Sequence, residues 1–212
     1  MKTVKTTVSS NEIASYIDLE LPGSMTASQT RKIKDEVGEL LIDHILLNVG
    51  KGRSPFGAGA FPPLSKKYKS FKLDEGSEPK PNLELSGEML DSLSFSHIDI
   101  GIKIFVSGEE ALRADGHNNF SGDSRIPTRQ FLPKKDDSFG SMIEREVSNI
   151  ISENAIDSSS ISRADIAKIT TKTQLNDFLR EAFPLVSVRQ AKSAILVDDN
   201  LRTLFAAALV LF

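Results

Sequence analysis

His117 stands in the polar run Asp115-Gly116-His117-Asn118-Asn119, where an imidazole can activate water while neighbouring Asp and Asn side chains orient it or hold a divalent ion. That is the chemistry of a nuclease. No second histidine lies at metal-ligand spacing, and a polar turn accounts for Gly116, Asn118 and Asn119 without any reaction. Cysteine is absent, so thiolate ligands, thiol catalysis and disulfides are excluded together, and a metal site would have to use His44, His97, His117 and carboxylates. The spacing puts His44 on the apolar face of a helix, the setting of a hydrogen-bonded core histidine. His97 shares the parity of Leu93 and Phe95, to pair with Asp99 or sit at a rim. Gly50-Lys51-Gly52-Arg53-Ser54 lacks the order of a phosphate-wrapping loop and follows a helix, not a strand. Ser86, Ser121 and Ser124 have no nucleophile-elbow setting. The expectation is a protein that is not an enzyme and carries no cofactor.

Two basic segments remain. Arg125, Arg129, Lys134 and Lys135 are four positive charges without an acid among them up to Lys135, in a stretch stiffened by Pro127 and Pro133 beside Phe131 and Leu132. Such a strand can dock on a neighbour's sheet edge or carboxylates, face DNA phosphates, or serve as an edge strand with a solvated basic side. The other is Leu64 to Lys72, a short helix whose Lys66, Lys67 and Lys69 could meet nucleic acid, or form a solvated turn anchored by Tyr68 and Phe71.

The elements that must position these residues read as α+β. Ile13, Ile17, Leu19 and Leu21 alternate as a half-buried strand ended by Pro22-Gly23. Thr26 and Gln29 have capping-box spacing before a long helix with the stripe Ile33, Val37, Leu40, Leu41, His44 and Leu47, stopped at Gly50. Residues 50 to 84 read as a long loop. Ser86 caps a short helix turning Met89, Leu90 and Leu93 inward, and Leu93 to Ile100 pairs through Gly101 with Ile102 to Val106 as a hairpin. Asp136 or Asp137 caps a second long helix with Phe139, Ile143, Val147, Ile150 and Ile151 inward. These predict two long helices on a small, mostly antiparallel sheet over residues 1–157, with a helical C-terminal extension over 158–212. In the extension, Thr173 and Ser187 start helices, Pro184 breaks the first, and Asp198-Asp199-Asn200 turns into the apolar run Leu204 to Phe212, which needs burial in its own core or by a neighbour.

The 212 residues suffice for a full core. Apolar residues make up 39% and charged ones 26%, against disorder. A net charge of −3 argues against a surface that coats nucleic acid, though a local basic face remains compatible. Met1 to Thr7 is basic without an apolar stretch after it, so no secretory signal is expected, and a soluble protein is.

In order and spacing the chain resembles the phage virion morphogenesis or tail completion family of tailed bacteriophages over roughly residues 25 to 155. The residues are Phe61-Pro62-Pro63-Leu64-Ser65 with Tyr68 and Lys72, Leu85-Ser86-Gly87 with Leu90 and Leu93, a hairpin, Ala114 with His117-Asn118, and Ile126-Pro127 with Arg129 and Phe131-Leu132. Phe61 stands where the family often carries Trp, and the chain beyond about Asp157 has no counterpart in it. The resemblance implies a structural virion protein of the head-tail junction (neck, tail completion or terminator), assembled in the host cytoplasm as a hexameric or dodecameric ring around the DNA channel. It would touch neck, portal-side or tail proteins, with DNA as cargo and no membrane. Arg125, Ile126, Pro127, Arg129, Phe131, Leu132, Tyr68 and Phe71 then become a candidate assembly interface, with Ile126 to Leu132 packed in the core or between subunits. Lys66, Lys67, Lys69, Lys134 and Lys135 become candidate DNA-facing residues. The alternative is a phage nucleic-acid-binding module or weak nuclease.

Overall fold

A computed structural model describes residues 1–22, 25–57, 59–83, 87–119, 127–155, 161, 163–183, 187–197 and 199–211. The architecture is α+β and divides into two units, Met1–Glu20 with Lys34–Glu144, and Leu21–Ile33 with Arg145–Phe212. The division runs through two helices, whereas the sequence places a break near Asp157, which lies outside the described residues.

The first unit is built on a four-stranded antiparallel sheet in the order β1 (Lys2–Val8), β2 (Glu12–Asp18), β4 (Gly101–Ser107), β3 (Leu93–Ile98). The β3–β4 hairpin and β2 follow the expected alternation. β1 is an addition: the basic opening is an edge strand, with a register shift between Thr3 and Lys5. Cross-strand pairing puts Ile13, Ser15 and Ile17 of β2 beside Val106, Ile104 and Ile102 of β4, and all six are fully buried. The opposite face pairs Tyr16 with Lys103 and Ala14 with Phe105, and Lys5 and Lys103 stand over the Tyr16 and Phe105 rings at 4.3 and 4.4 Å. One face is therefore core and the other polar, as an antiparallel sheet allows.

Helix α1 (Ala27–Gly50) begins at the expected capping box, with Gln29 N donating to Thr26 Oγ1 (3.2 Å) and Thr26 N to Gln29 Oε1 (2.9 Å). Its buried line is Ile33, Val37, Leu41, Ile45 and Val49, so the stripe expected to run through His44 and Leu47 is corrected: Leu47 is 57% exposed and His44 half-buried. His44 Nε2 lies 3.0 Å from Pro55 O, and its ring meets Phe139 edge-on. Gly38 lets the Phe95 ring lie against the helix, since a Cβ there would come within 2.4 Å of it. Lys34 is buried beside this line, and its Nζ donates to Ile98 O (2.5 Å) and Asp99 O (3.0 Å) at the hairpin turn.

The region 50–84 contains helix α2 (Lys66–Asp74), capped by Ser65 Oγ accepting from Tyr68 N. Helix α3 (Glu88–Asp91) starts from Gly87 in the left-handed region, and Ser86, expected as its cap, lies outside the described residues; Met89, Leu90 and Leu93 are buried as expected. The polar run 115–119 is not a loop, because Asp115 to Asn118 close helix α4 (Glu110–Asn118). Helix α5 (Ser141–Asn154) begins later than the Asp136–Asp137 cap predicts. Asp136 has a φ of 67°, and the Asp137 carboxylate accepts from Lys134 N (2.7 Å) and from Gln130 Nε2 instead.

In the second unit α6 (Arg163–Ile166), α7 (Lys172–Ala182), α8 (Val188–Val197), α9 (Asp199–Leu204) and a 3-10 helix (Ala206–Leu211) gather around Leu175, Leu179, Ile195 and Phe205. Thr171 with Gln174 and Ser187 with Gln190 form capping boxes. The turn expected at 198–200 is corrected, since Asp199 and Asn200 open α9. In the apolar tail Phe205 and Ala208 are fully buried within this unit. No helix among the described residues is long and apolar enough to cross a membrane.

Candidate functional site

Three of the spaced motifs meet at one joint in the first unit. At the end of α4, Asn118 is fully buried, and its Oδ1 accepts from both Phe131 N (2.9 Å) and Leu132 N (2.7 Å). Arg129 N donates to His117 O (2.8 Å), and Arg129 Nη2 donates to Pro62 O (3.2 Å), so the Phe61-Pro62 element is tied in as well. Further on, Pro133 O accepts from Ser15 Oγ (2.6 Å) and Thr6 Oγ1 (3.0 Å), which pins the segment to the sheet. A side-chain oxygen serving two backbone amides does the work of a ladder where none exists, since buried amides must be paired.

The candidate interface residues therefore separate. Phe131 and Leu132 are fully buried and Arg129 is 5% exposed, which makes them packing residues of this subunit, not a surface for another. Residues 127–135 form no strand, and the Arg129 side chain is withdrawn from the surface. Pro127 is exposed, Lys134 half-buried and Lys135 exposed, while Arg125 and Ile126 lie outside the described residues.

Electrostatically the joint is one-sided. Burial lowers the Arg129 pKa, which the neighbouring Tyr68 phenol partly opposes. His117 is pushed down to about 4, first by burial and then by the guanidinium groups of Arg129 and Arg113. It is neutral at pH 7, and its Nδ1, Arg129 Nε and Asn118 Nδ2 are buried without a hydrogen-bond partner among the described residues. Asn118 Oδ1 is spent on backbone amides, and among the described residues no group of three or more His, Asp or Glu side chains is placed to hold a metal ion.

The depressed His117 pKa has a consequence for folding. Below the ordinary value of 6.5 the unfolded chain takes up a proton that the folded chain refuses until about pH 4. Stability is thus fully present above pH 6.5 and falls as pH drops through that window. The expected loss between pH 7 and 4.5 is about 2 kcal/mol after allowance for solvent screening. Urea unfolding at the two pH values should show it, with the difference largely gone in His117→Gln. An equal pH slope in both proteins would assign it elsewhere.

Helix α2 inverts the expected anchoring. The residue that pins it is Lys72, 2% exposed, whose Nζ donates to Lys80 O (3.0 Å) and Asn82 Oδ1 (2.7 Å). Tyr68 and Phe71, expected as the anchors, are 41% and 42% exposed, with ring centroids 5.9 Å apart. Lys66, Lys67 and Lys69 are exposed. The sequence places a short helix here, but neither the burial of Lys72 nor the joint is legible in it: the Lys72 partners lie 8 and 10 residues away and the Asn118 partners 13 and 14. His97, expected to pair with Asp99 or sit at a rim, is exposed and bonds Asp35 of α1 at 2.8 Å.

Compared with known protein families, curated proteins and solved structures, the chain matches none.

Proposed function

We propose that this chain is a structural subunit of the head-tail junction of a tailed bacteriophage, assembling as a ring around the DNA channel and joining tail to head. The observation that supports it most is the joint. Phe61-Pro62, His117-Asn118 and Arg129 to Leu132 carry the family resemblance as separate pieces of sequence, and they bond to one another in space. Pieces that meet in this way behave as one structural unit, whereas chance similarities have no reason to converge. In it Asn118 Oδ1 and Arg129 Nη2 are spent on backbone groups, Phe131 and Leu132 are fully buried, and Pro133 O is held by Ser15 and Thr6 of the sheet.

Disrupting the gene in a phage that encodes it tests the reading. The expected result is full heads and separate tails, rejoined when the protein is supplied, with many copies of the chain per mature virion by quantitative mass spectrometry. Infectious particles formed normally without it would overturn the proposal.

A further inference from the structure

The outward faces of α1 and α2 complement each other in charge and in order. On α1, Glu39 and Asp43 are exposed one turn apart, followed by Leu46 and Leu47 on the same side. On α2, Lys66, Lys69 and Leu73, which is 59% exposed, share one side at helical spacing, and Lys67 and Phe71 are exposed on another. Among the described residues, the side chains of these three lysines and two acids have no bonding partner. Each helix thus runs from charge to hydrocarbon in the N-to-C direction, over about 12 Å for Glu39 to Leu47 and about 10 Å for Lys66 to Leu73. Laid parallel on the Lys66–Lys69–Leu73 side of α2, base meets acid and Leu73 meets Leu46 and Leu47. Within one subunit both faces are open to solvent, so the partner must be another molecule.

We infer that α2 of one copy docks in parallel on the Glu39–Leu47 face of α1 of a second copy. The inference rests on the ring reading and gives it a contact. Two different patches per subunit make a head-to-tail interface, which closes into a ring or continues as a filament. The apolar side chains supply burial, and the charges fix register and direction. A polyanion suits α2 less well. The chain carries a net charge of −3, and Leu73 has nothing to gain from a phosphate backbone.

Charge exchange tests this, read by sedimentation velocity at physiological salt. K66E/K67E/K69E and E39K/D43K should each weaken self-association at least about tenfold, with thermal unfolding unchanged because all five positions are exposed. Combining both sets in one chain, or mixing the two variants, should restore it. If the wild type associates and neither variant weakens it, the contact is wrong while the ring reading stands. If the wild type stays monomeric at high concentration yet joins virions, this contact fails and a partner-dependent ring remains. If it also never joins virions, both fail. Salt-dependent DNA binding lost only in K66E/K67E/K69E, with association untouched, would give α2 to nucleic acid and overturn the inference.

Discussion

Asn118→Ala is expected to lower stability by about 3 kcal/mol, because it strips the acceptor from two buried backbone amides at once and each orphaned buried donor costs about 1–3 kcal/mol. The Phe131 and Leu132 amides have no strand neighbour to turn to, since the segment from Pro127 onward makes no ladder. Asn118→Asp is expected to be milder. It keeps an oxygen for both amides, removes the Nδ2 group that has no partner, and places a negative charge in a joint that holds Arg129. Urea unfolding with an unchanged slope would report the difference as stability alone. Hydrogen exchange at the Phe131 and Leu132 amides should speed up selectively in the alanine variant. Equal costs for the two variants, or a cost below about 1 kcal/mol for alanine, would mean that the joint does not depend on this side chain.

The parts of the fold legible in sequence are those whose physics is local. Thr26 with Gln29 caps its own helix across three residues, and the β3–β4 hairpin closes on neighbours. The phase of α1 was not legible, because Leu40, Leu41 and Ile42, and again Ile45, Leu46 and Leu47, are apolar on every side of the helix. Which of them turns inward is decided by what packs there, and the Phe95 ring over Gly38 belongs to a strand far along the chain. The burial of two lysines was not legible either. Lys34 and Lys72 are buried because their ammonium groups find carbonyl and amide oxygens at Ile98, Asp99, Lys80 and Asn82, partners no local pattern identifies.

This exchange of roles moves the place where a partner would be met. Of the expected contact residues, Arg129, Phe131 and Leu132 went inside, and in α2 the expected anchors came out. A lysine pinning the helix from within leaves the aromatic and aliphatic side chains partly at the surface, where a fully solvated helix would have polar ones. Exposed apolar groups beside a single sign of charge are a feature of contact surfaces. The motif that carries the resemblance is thus the scaffold, and the surface beside it is what a neighbour can reach.

Phe205→Ala is expected to be the costliest single change, at about 4 kcal/mol for a fully buried aromatic ring. Phe205 lies within the second unit's core, edge-on to Phe178 with centroids 6.1 Å apart and tilted to Phe183 at 6.5 Å. Five residues along the same apolar tail, Val210 is 89% exposed, and Val210→Asp should change stability by less than about 0.5 kcal/mol. The contrast separates two ways of covering an uncharged tail. A tail held by its own unit loses stability at 205 and tolerates a charge at 210 in every assay. A tail that also lies against a neighbouring subunit tolerates the charge in the isolated protein and loses association, so sedimentation of Val210→Asp beside its thermal unfolding decides between them. Small effects at both positions would show that the tail contributes nothing to the fold.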